Sequence, residues 1–188
     1  MKPTASTPYA STPYASTAYA IGIDTDATTL READHLLQAL AAELDLPEGV
    51  FGCTHLVRDG RPRVALSLAT DAVAAEPVLR TARDRLTAQG YDVRDGAPDE
   101  VGRAVLYPGA GALTGTLTLA ELLARSAIDR VTVLGTPDEP APDARLVTRE
   151  HVRPQWQDGR LVLAAMPAAG GTLVPFEDPD PTPCCADH

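Results

Sequence analysis

Lysine and asparagine are almost missing from this chain, since Lys2 is the only lysine among 188 residues and asparagine does not occur. A Schiff-base lysine, a P-loop lysine and the lysine and asparagine of a protein-kinase site therefore have no residue in the predicted folded region to supply them. The patterns G-x-S-x-G and H-E-x-x-H are also absent, which excludes the nucleophile elbow of many hydrolases and the common zinc-protease helix. No diagnostic catalytic signature remains.

Positive charge is scarce as well, because 16 basic residues face 26 acidic residues and leave a formal net charge of −10. Such a balance repels nucleic-acid phosphates and anionic lipid head groups. No apolar run approaches the ~20 residues that span a bilayer, and the N-terminus lacks the build of a secretory signal. Three cysteines, an odd number, do not form a secreted disulfide framework. We therefore expect a cytoplasmic protein that binds neither nucleic acid nor a membrane.

Both ends of the chain have the composition of tails. Residues 1–18 contain S-T-P-Y-A twice and then most of a third copy, S-T-A-Y-A, with Pro8 and Pro13 blocking a regular helix. Residues 178–188 begin with a Pro-rich spacer and have little hydrophobic content. We predict that both segments are disordered and that residues 19–177 form the compact body.

The first half of the body, residues 19–96, has the element order βαββαβ. A short apolar run at 20–24 predicts a strand, and Thr29 with Glu32 predicts a capping box at the start of an amphipathic helix whose polar side includes Asp34. Runs at 50–57 and 64–69 predict a hairpin, and a second helix and a short strand follow. This order is that of a ferredoxin-like split βαβ unit within the α/β (α+β) class.

The second half, residues 97–177, predicts a βαβ unit and a C-terminal β-hairpin. Strands are expected at 103–107 and 128–134, parallel to each other, with a helix capped by Thr118 and Glu121 between them. The hairpin is expected from 146–153 and 161–165 around Asp158 and Gly159, followed by a strand at 172–176. We expect this unit to pack on the open face of the first sheet; extension of that sheet is the alternative.

The C-terminal sequence holds the most distinctive group of metal-ligand types. Cys184, Cys185 and His188 place two thiols and an imidazole within five residues, which suits zinc or cuprous copper. Cys53 and His55 are possible additional ligands, since they lie two apart on a predicted strand and share a face. A tail without fixed geometry is the plainer interpretation of the first group, and a structural cysteine beside a hydrogen-bonded histidine is the plainer interpretation of the second.

A Gly-rich loop between a predicted strand and a predicted helix is the best candidate for a small-molecule site. Gly109, Gly111, Thr114 and Gly115 would offer backbone N–H groups to an anion there, assisted by the helix N-terminus. The spacing G-x-G-x-x-x-G departs from the dinucleotide fingerprint. A flexible connector is an equal alternative for this loop.

Two polar pairs complete the candidates. His151 and Arg153 are expected on one strand face, where they could meet an acidic ligand and where His151 could act as a general acid or base. An exposed polar strand edge is the plainer interpretation of this pair. Asp24 and Asp26 could bind a divalent cation or merely lead into the first helix.

Three functions from different classes fit these patterns. We favour a small cytoplasmic binding or regulatory protein with a metal- or thiol-responsive C-terminal tail. One alternative is an enzyme of unnamed reaction that binds an anionic small molecule at the 109–115 loop, with His151 and Arg153 assisting. Another is an adaptor that binds a larger protein through its tails. The expected partners are a small molecule or a metal ion, with a protein partner or a homodimer as a further option.

Overall fold

The computed structural model describes residues 19–58 and 60–179, so the segments at 1–18 and 180–188, where the tails are predicted, lie outside the described residues. Within these ranges the chain forms three helices, α1 (Leu30–Glu43), α2 (Glu76–Ala88) and α3 (Leu119–Arg125). It also forms eleven strands: β1 (Tyr19–Ile23), β2 (Val50–Val57), β3 (Arg63–Thr70), β4 (Val93–Asp95), β5 (Arg103–Leu106), β6 (Thr116–Thr118), β7 (Arg130–Val133), β8 (Arg145–Val147), β9 (Gln155–Gln157), β10 (Arg160–Ala168) and β11 (Thr172–Pro175).

The mixed α and β content is confirmed, and all the described strands belong to one sheet. Its first part has the strand order β4-β1-β3-β2, and each neighbouring pair is antiparallel. Helices α1 and α2 share one hydrophobic core with these strands, formed chiefly by Ile21, Leu37, Leu66, Leu79 and Leu86. In the described ranges, none of the helices has both the length and the apolar character that a bilayer span requires.

The start of α1 follows the sequence prediction. The Thr29 side chain accepts a hydrogen bond from the Glu32 backbone N–H, and the Glu32 side chain accepts one from the Thr29 backbone N–H, which completes the capping box. The assignment of Asp34 to the polar side of α1 is wrong, because this residue is only 6% exposed. Asp34 lies four residues after Leu30 and three before Leu37, and this spacing places it on the buried side of the helix.

The second half of the chain continues the first sheet, and its buried side chains also share one hydrophobic core with Ala20, Phe51, Cys53 and Ala69 of the first four strands. Strand β5 pairs antiparallel with β2, next to the first four strands. Strands β5 and β7 are not neighbours in the sheet. Strand β7 instead pairs in parallel with β10, so the expected parallel pairing of 103–107 with 128–134 is not found. The sheet is consequently larger than the two separate units that the sequence suggested.

Strand β10 organises the C-terminal half. It pairs antiparallel with β9 and β11 and parallel with β7. Asp158 and Gly159 form the turn between β9 and β10, both with positive φ, as the Asp-Gly signal predicted. The N-terminal arm of this hairpin begins only at Gln155, so residues 149–153 lie outside the strands. A second core lies here, with Leu146, Leu161, Leu163 and Trp156 among its buried members.

Candidate functional site

Five charged or ionisable side chains meet where the two halves of the chain join. Asp34 comes from α1, Arg103 from the first position of β5, and Glu177 from the segment just after β11. His151 and Arg153 come from the segment between β8 and β9. We call these five residues the ionic cluster. Its directly hydrogen-bonded members Asp34 and Arg153 are 119 positions apart in the sequence, so only the tertiary fold assembles it.

Arg103 is the centre of the ionic cluster, and its side chain is only 8% exposed. Its Nη1 and Nη2 groups donate to the two carboxylate oxygens of Asp34 at 2.6 and 3.1 Å. Its Nε donates to Glu177 Oε2 at 2.6 Å, and Nη2 donates to Glu177 Oε1. The remaining Nη1 hydrogen faces Thr54 Oγ1 at 3.2 Å. Five hydrogen bonds match the five N–H groups of a guanidinium, so Arg103 is saturated by protein groups.

The outer members complete the cluster. Arg153 Nε donates to Asp34 Oδ2 at 3.1 Å, and His151 Nε2 lies 2.9 Å from Glu177 Oε1. Burial alone would raise the pKa of Asp34, but the hydrogen bonds and charge of Arg103, with the charge of Arg153, outweigh burial and lower that pKa. The pKa of Glu177 is lowered in the same way, since Arg103 and His151 outweigh burial. Both carboxylates are therefore held in the charged form.

These lowered pKa values predict an acid-labile cluster. A carboxyl whose pKa is lower in the folded state than in the unfolded state stabilises the protein above its unfolded pKa of about 4, and that stabilisation is lost as the pH falls through the folded value. The free energy of unfolding of the wild type should therefore exceed that of Asp34→Asn at neutral pH. Urea titrations from pH 7 downwards should show this difference shrinking below about pH 4. A constant difference down to pH 2 would contradict the charge-based explanation.

A second hydrogen-bonded chain lies beside the cluster and joins Ser67, His55 and Asp99. His55 Nε2 is 2.8 Å from Ser67 Oγ, and His55 Nδ1 is 2.8 Å from Asp99 Oδ1. These residue types in this order are those of a hydrolase triad. The exposure of the two end residues, however, is the reverse of that in a triad: Ser67 is fully buried, whereas the Asp99 side chain is 44% exposed.

The position of Ser67 argues against a nucleophilic role. It lies in the middle of β3, between Gly22 of β1 and Cys53 of β2, and the neighbouring backbone amides belong to the sheet ladder. A substrate would have no approach to Oγ, and an oxyanion would find no pair of converging backbone donors. We therefore interpret the Ser67–His55–Asp99 chain as an anchor for the segment 96–102.

That segment lies directly on the sheet. A Cβ atom added at Gly22 would be 2.8 Å from the Gly96 carbonyl oxygen, and one added at Gly102 would be 3.0 Å from Cys53 Cβ and 3.1 Å from His55 Cε1. Contacts this close require glycine on at least one side. The segment also brings Asp99 to the surface beside the ionic cluster.

A cleft of about 290 Å³ lies where the two hydrogen-bonded networks approach each other. We call it the junction cleft, and its lining consists of Leu30, Thr54, Leu56, Arg58, Asp99, Val101, Arg103, Gln155 and Glu177. Asp99 belongs to the anchor chain, while Arg103 and Glu177 belong to the ionic cluster. Leu56 and Val101 are 56% and 60% exposed, so the lining presents apolar surface to solvent beside buried charges. The cleft thus joins an apolar surface to ordered polar groups from both halves.

A larger cleft of about 680 Å³ lies near the end of β1 and contains the predicted Asp24 and Asp26. Asp24 accepts two hydrogen bonds from Arg63, at 2.6 and 2.9 Å, so it is already paired. In the ranges that the structure describes, no group of three or more His, Cys, Asp or Glu side chains is placed to hold a metal ion. The cation-binding prediction for this aspartate pair gains no support.

The predicted pair His151 and Arg153 is brought together, though not by a shared strand face. Both residues reach the ionic cluster from an irregular segment, and each contacts a carboxylate there. The acidic groups that they contact in the structure are Glu177 and Asp34 of the chain itself, and binding of an acidic ligand stays a prediction. Whether they also take part in catalysis stays a prediction.

The Gly-rich loop lies elsewhere. Gly109 packs against the C-terminal end of α3, where a Cβ atom would come within 1.9 Å of the Arg125 carbonyl oxygen. The helix end nearest to Gly109 is therefore the one whose carbonyls repel an anion. The N–H groups of Ala110 and Ala112 are used within the loop, and the Gly115 carbonyl accepts two hydrogen bonds from Thr148.

Gly111, Thr114 and Gly115 are exposed on this loop. The ligand-binding prediction for the four loop residues stays untested, but the helix N-terminus on which it relied does not lie beside Gly109.

The predicted metal ligands divide into two groups. Cys184, Cys185 and His188 lie outside the described residues. Cys53 and His55 are buried on the same face of β2, as their spacing predicted. Both ring nitrogens of His55 already contact protein groups, so binding a metal here would require breaking the anchor chain.

Sequence reasoning missed Arg103, Glu177, Asp99 and Ser67. An arginine at the start of an apolar strand and an acid after the last strand are ordinary surface patterns, and nothing local marks them as partners. Asp34 did carry a signal, since it falls at helical spacing among leucines. Searches against protein-family models, curated proteins and solved structures give no match to this chain.

Proposed function

We propose that this protein is a small binding or regulatory protein and that the junction cleft is its ligand site. The observation that carries the proposal is the exposure of Leu56 and Val101 beside polar groups contributed by both halves of the chain. A ligand that covers these side chains removes apolar surface from water, and the ordered polar groups orient it. A ligand held between the halves would also stabilise their relative position, which is a simple basis for regulation.

Binding is favoured over catalysis because the reactive groups near the cleft are engaged with one another. All the N–H groups of Arg103 are used, and both Glu177 oxygens accept hydrogen bonds. Ser67 is buried behind His55. A general acid, base or nucleophile must reach its substrate, and in this arrangement only Asp99 combines a relay partner with substantial exposure.

We further propose that residues 19–96 form a ferredoxin-like split βαβ unit. The antiparallel strand order β4-β1-β3-β2 supports this, as does the packing of α1 and α2 into one core. In this proposal the second half adds strands to the β2 edge of that unit. A cytoplasmic location is part of the same proposal and rests on the composition of the chain.

The metal- or thiol-responsive tail remains a proposal about Cys184, Cys185 and His188. Two thiols and an imidazole suit zinc or cuprous copper, and the tail follows Glu177 by only a few residues, so an event there would lie near the ionic cluster in sequence. Elemental analysis of untagged protein tests it: stoichiometric metal that disappears on deleting residues 184–188 supports the tail site, and metal-free protein overturns it.

The junction cleft is tested by ligand titration of the full chain. We expect amide NMR shifts near Leu56, Val101 and Gln155 when amino acids, small carboxylates, amines or nucleosides are added at about 1 mM each. Leu56→Asp should abolish the shifts, because it places a charge in the apolar wall. Val73→Asp is the matched control, since Val73 is 74% exposed and lies outside the cleft. Absence of any cleft-centred shift would overturn the assignment.

A further inference from the structure

We propose that the ligand of the junction cleft is a free α-amino acid with an aliphatic side chain. The inference rests on the proposed function, because it assigns a chemical class to the same site. Three features of the cleft support it: the hydrogen-bonding capacity and charge of Asp99 and Arg58, the aliphatic remainder of the lining, and the volume.

Two of the four charged lining residues are already satisfied. Arg103 uses all five of its N–H groups, and Glu177 receives hydrogen bonds on both carboxylate oxygens. Arg103 cannot bind a ligand without giving up an internal partner, and Glu177 retains only one acceptor position, on Oε2 beside the Arg103 guanidinium. Their role in the cleft is to form a rigid polar wall.

The other two charged lining residues retain capacity and have opposite charge. Asp99 uses Oδ1 to accept from His55 and from the Val101 backbone N–H, while Oδ2 has no hydrogen bond within residues 19–58 and 60–179. Arg58 is exposed and makes no ion pair within those same ranges. A ligand that satisfies both needs an ammonium group for Asp99 and a carboxylate for Arg58.

The remaining lining is aliphatic. Leu30, Leu56 and Val101 present side chains of the size that packs against another branched aliphatic group. The volume of about 290 Å³ lies just below the range of about 300–1,000 Å³ for ligand pockets. A nucleotide is disfavoured by this size. A zwitterion with one small apolar side chain matches the opposite charges of Asp99 and Arg58, the aliphatic lining and the small volume of the cleft.

The test compares leucine with its two half-charged analogues by calorimetry on the full chain. The first analogue is 4-methylpentanoate, which lacks the ammonium group, and the second is 3-methylbutylamine, which lacks the carboxylate. We expect leucine to bind and each analogue to bind about tenfold more weakly or worse, as the loss of a charge-assisted hydrogen bond implies. Equal binding of all three would overturn the inference.

A variant pair assigns the carboxylate contact. In Arg58→Gln, leucine and 3-methylbutylamine should bind with nearly equal affinity, because the group that distinguishes them is gone. Arg61→Gln is the matched control, since Arg61 is exposed in the same loop but outside the cleft lining. It should keep the full preference for leucine. A preference that survives in Arg58→Gln would contradict the assignment, whereas a general loss of folding would appear in the circular dichroism of the variant.

The outcomes separate the two proposals. If nucleosides or simple amines produce cleft-centred shifts and leucine does not, the amino-acid inference fails and the proposed binding function stands. If leucine binds but Leu56→Asp leaves its affinity unchanged, the ligand lies elsewhere and the inference fails. If none of the probes produces a cleft-centred shift, both proposals fail.

Discussion

Replacing Asp34 with alanine is expected to lower the free energy of unfolding by about 3 kcal/mol, the low end of the range for breaking a buried ion pair. The side chains of Asp34 and Arg103 are 9% and 8% exposed. Removing the carboxylate leaves the Arg103 guanidinium buried with two unsatisfied N–H groups and also removes a partner of Arg153. The Glu177 pair persists, which keeps the loss at the low end. Urea denaturation at pH 7 measures the difference.

The Asp24–Arg63 pair provides a matched control. It is also a two-point pair, here from Nε and Nη2 of Arg63 at 2.6 and 2.9 Å, but its side chains are 30% and 29% exposed. Water screens this pair, so Asp24→Ala should cost about 1 kcal/mol or less. A loss as large as that of Asp34→Ala would show that burial does not determine the difference. Equal small losses would show that the ionic cluster is solvated.

The consequences of the Asp34 change should extend to the junction cleft. Arg103 forms part of the cleft wall and is held in place by Asp34 and Glu177 together. Without Asp34, the Arg103 guanidinium is less constrained, so the part of the cleft wall that it forms becomes more mobile. Asp34 contacts the cleft only through Arg103, so its replacement should affect both the free energy of unfolding and ligand binding.

Much of the local structure was predictable because its causes are local. The capping box of Thr29 and Glu32 and the Asp158-Gly159 turn both depend on residues within a few positions of each other. The sheet was less predictable. Strand β5 pairs with β2 across about fifty positions, and nothing in either segment specifies that partner, since both are short apolar runs.

The candidate site likewise contains some residues that the sequence singled out and others that only the fold reveals. His151 and Arg153 attracted attention as unusual polar residues before a turn, but their partners lie up to 119 positions away. For the anchor chain, the sequence singled out His55 together with Cys53. The partners of His55 in the structure are instead Ser67 and Asp99. A histidine on a strand can face many polar residues, and only the register of β2 with β3 selects Ser67.

The second large effect concerns the loop that the sequence suggested as an anion site. Gly109→Ala is expected to lower the free energy of unfolding by about 3 kcal/mol or more, combining the cost of a left-handed alanine with that of overpacking. Gly109 has a φ of 80°, and the new Cβ would lie 1.9 Å from the Arg125 carbonyl oxygen and 2.7 Å from Ser126 Cα. The neighbouring atoms are backbone at the end of α3, so they cannot move aside cheaply.

Two other glycines of this loop separate the contributions. Gly115 has a φ of 66° but open space around its Cβ position, so Gly115→Ala should cost only the conformational part, about 1 kcal/mol. Gly111 has open space and no positive φ, so Gly111→Ala should lie within about 0.5 kcal/mol of the wild type. Thermal denaturation of the three variants should rank them in this order. Three equal, small effects would show that Gly109 is not packed against α3, and the anion-site hypothesis for the loop would regain its physical basis.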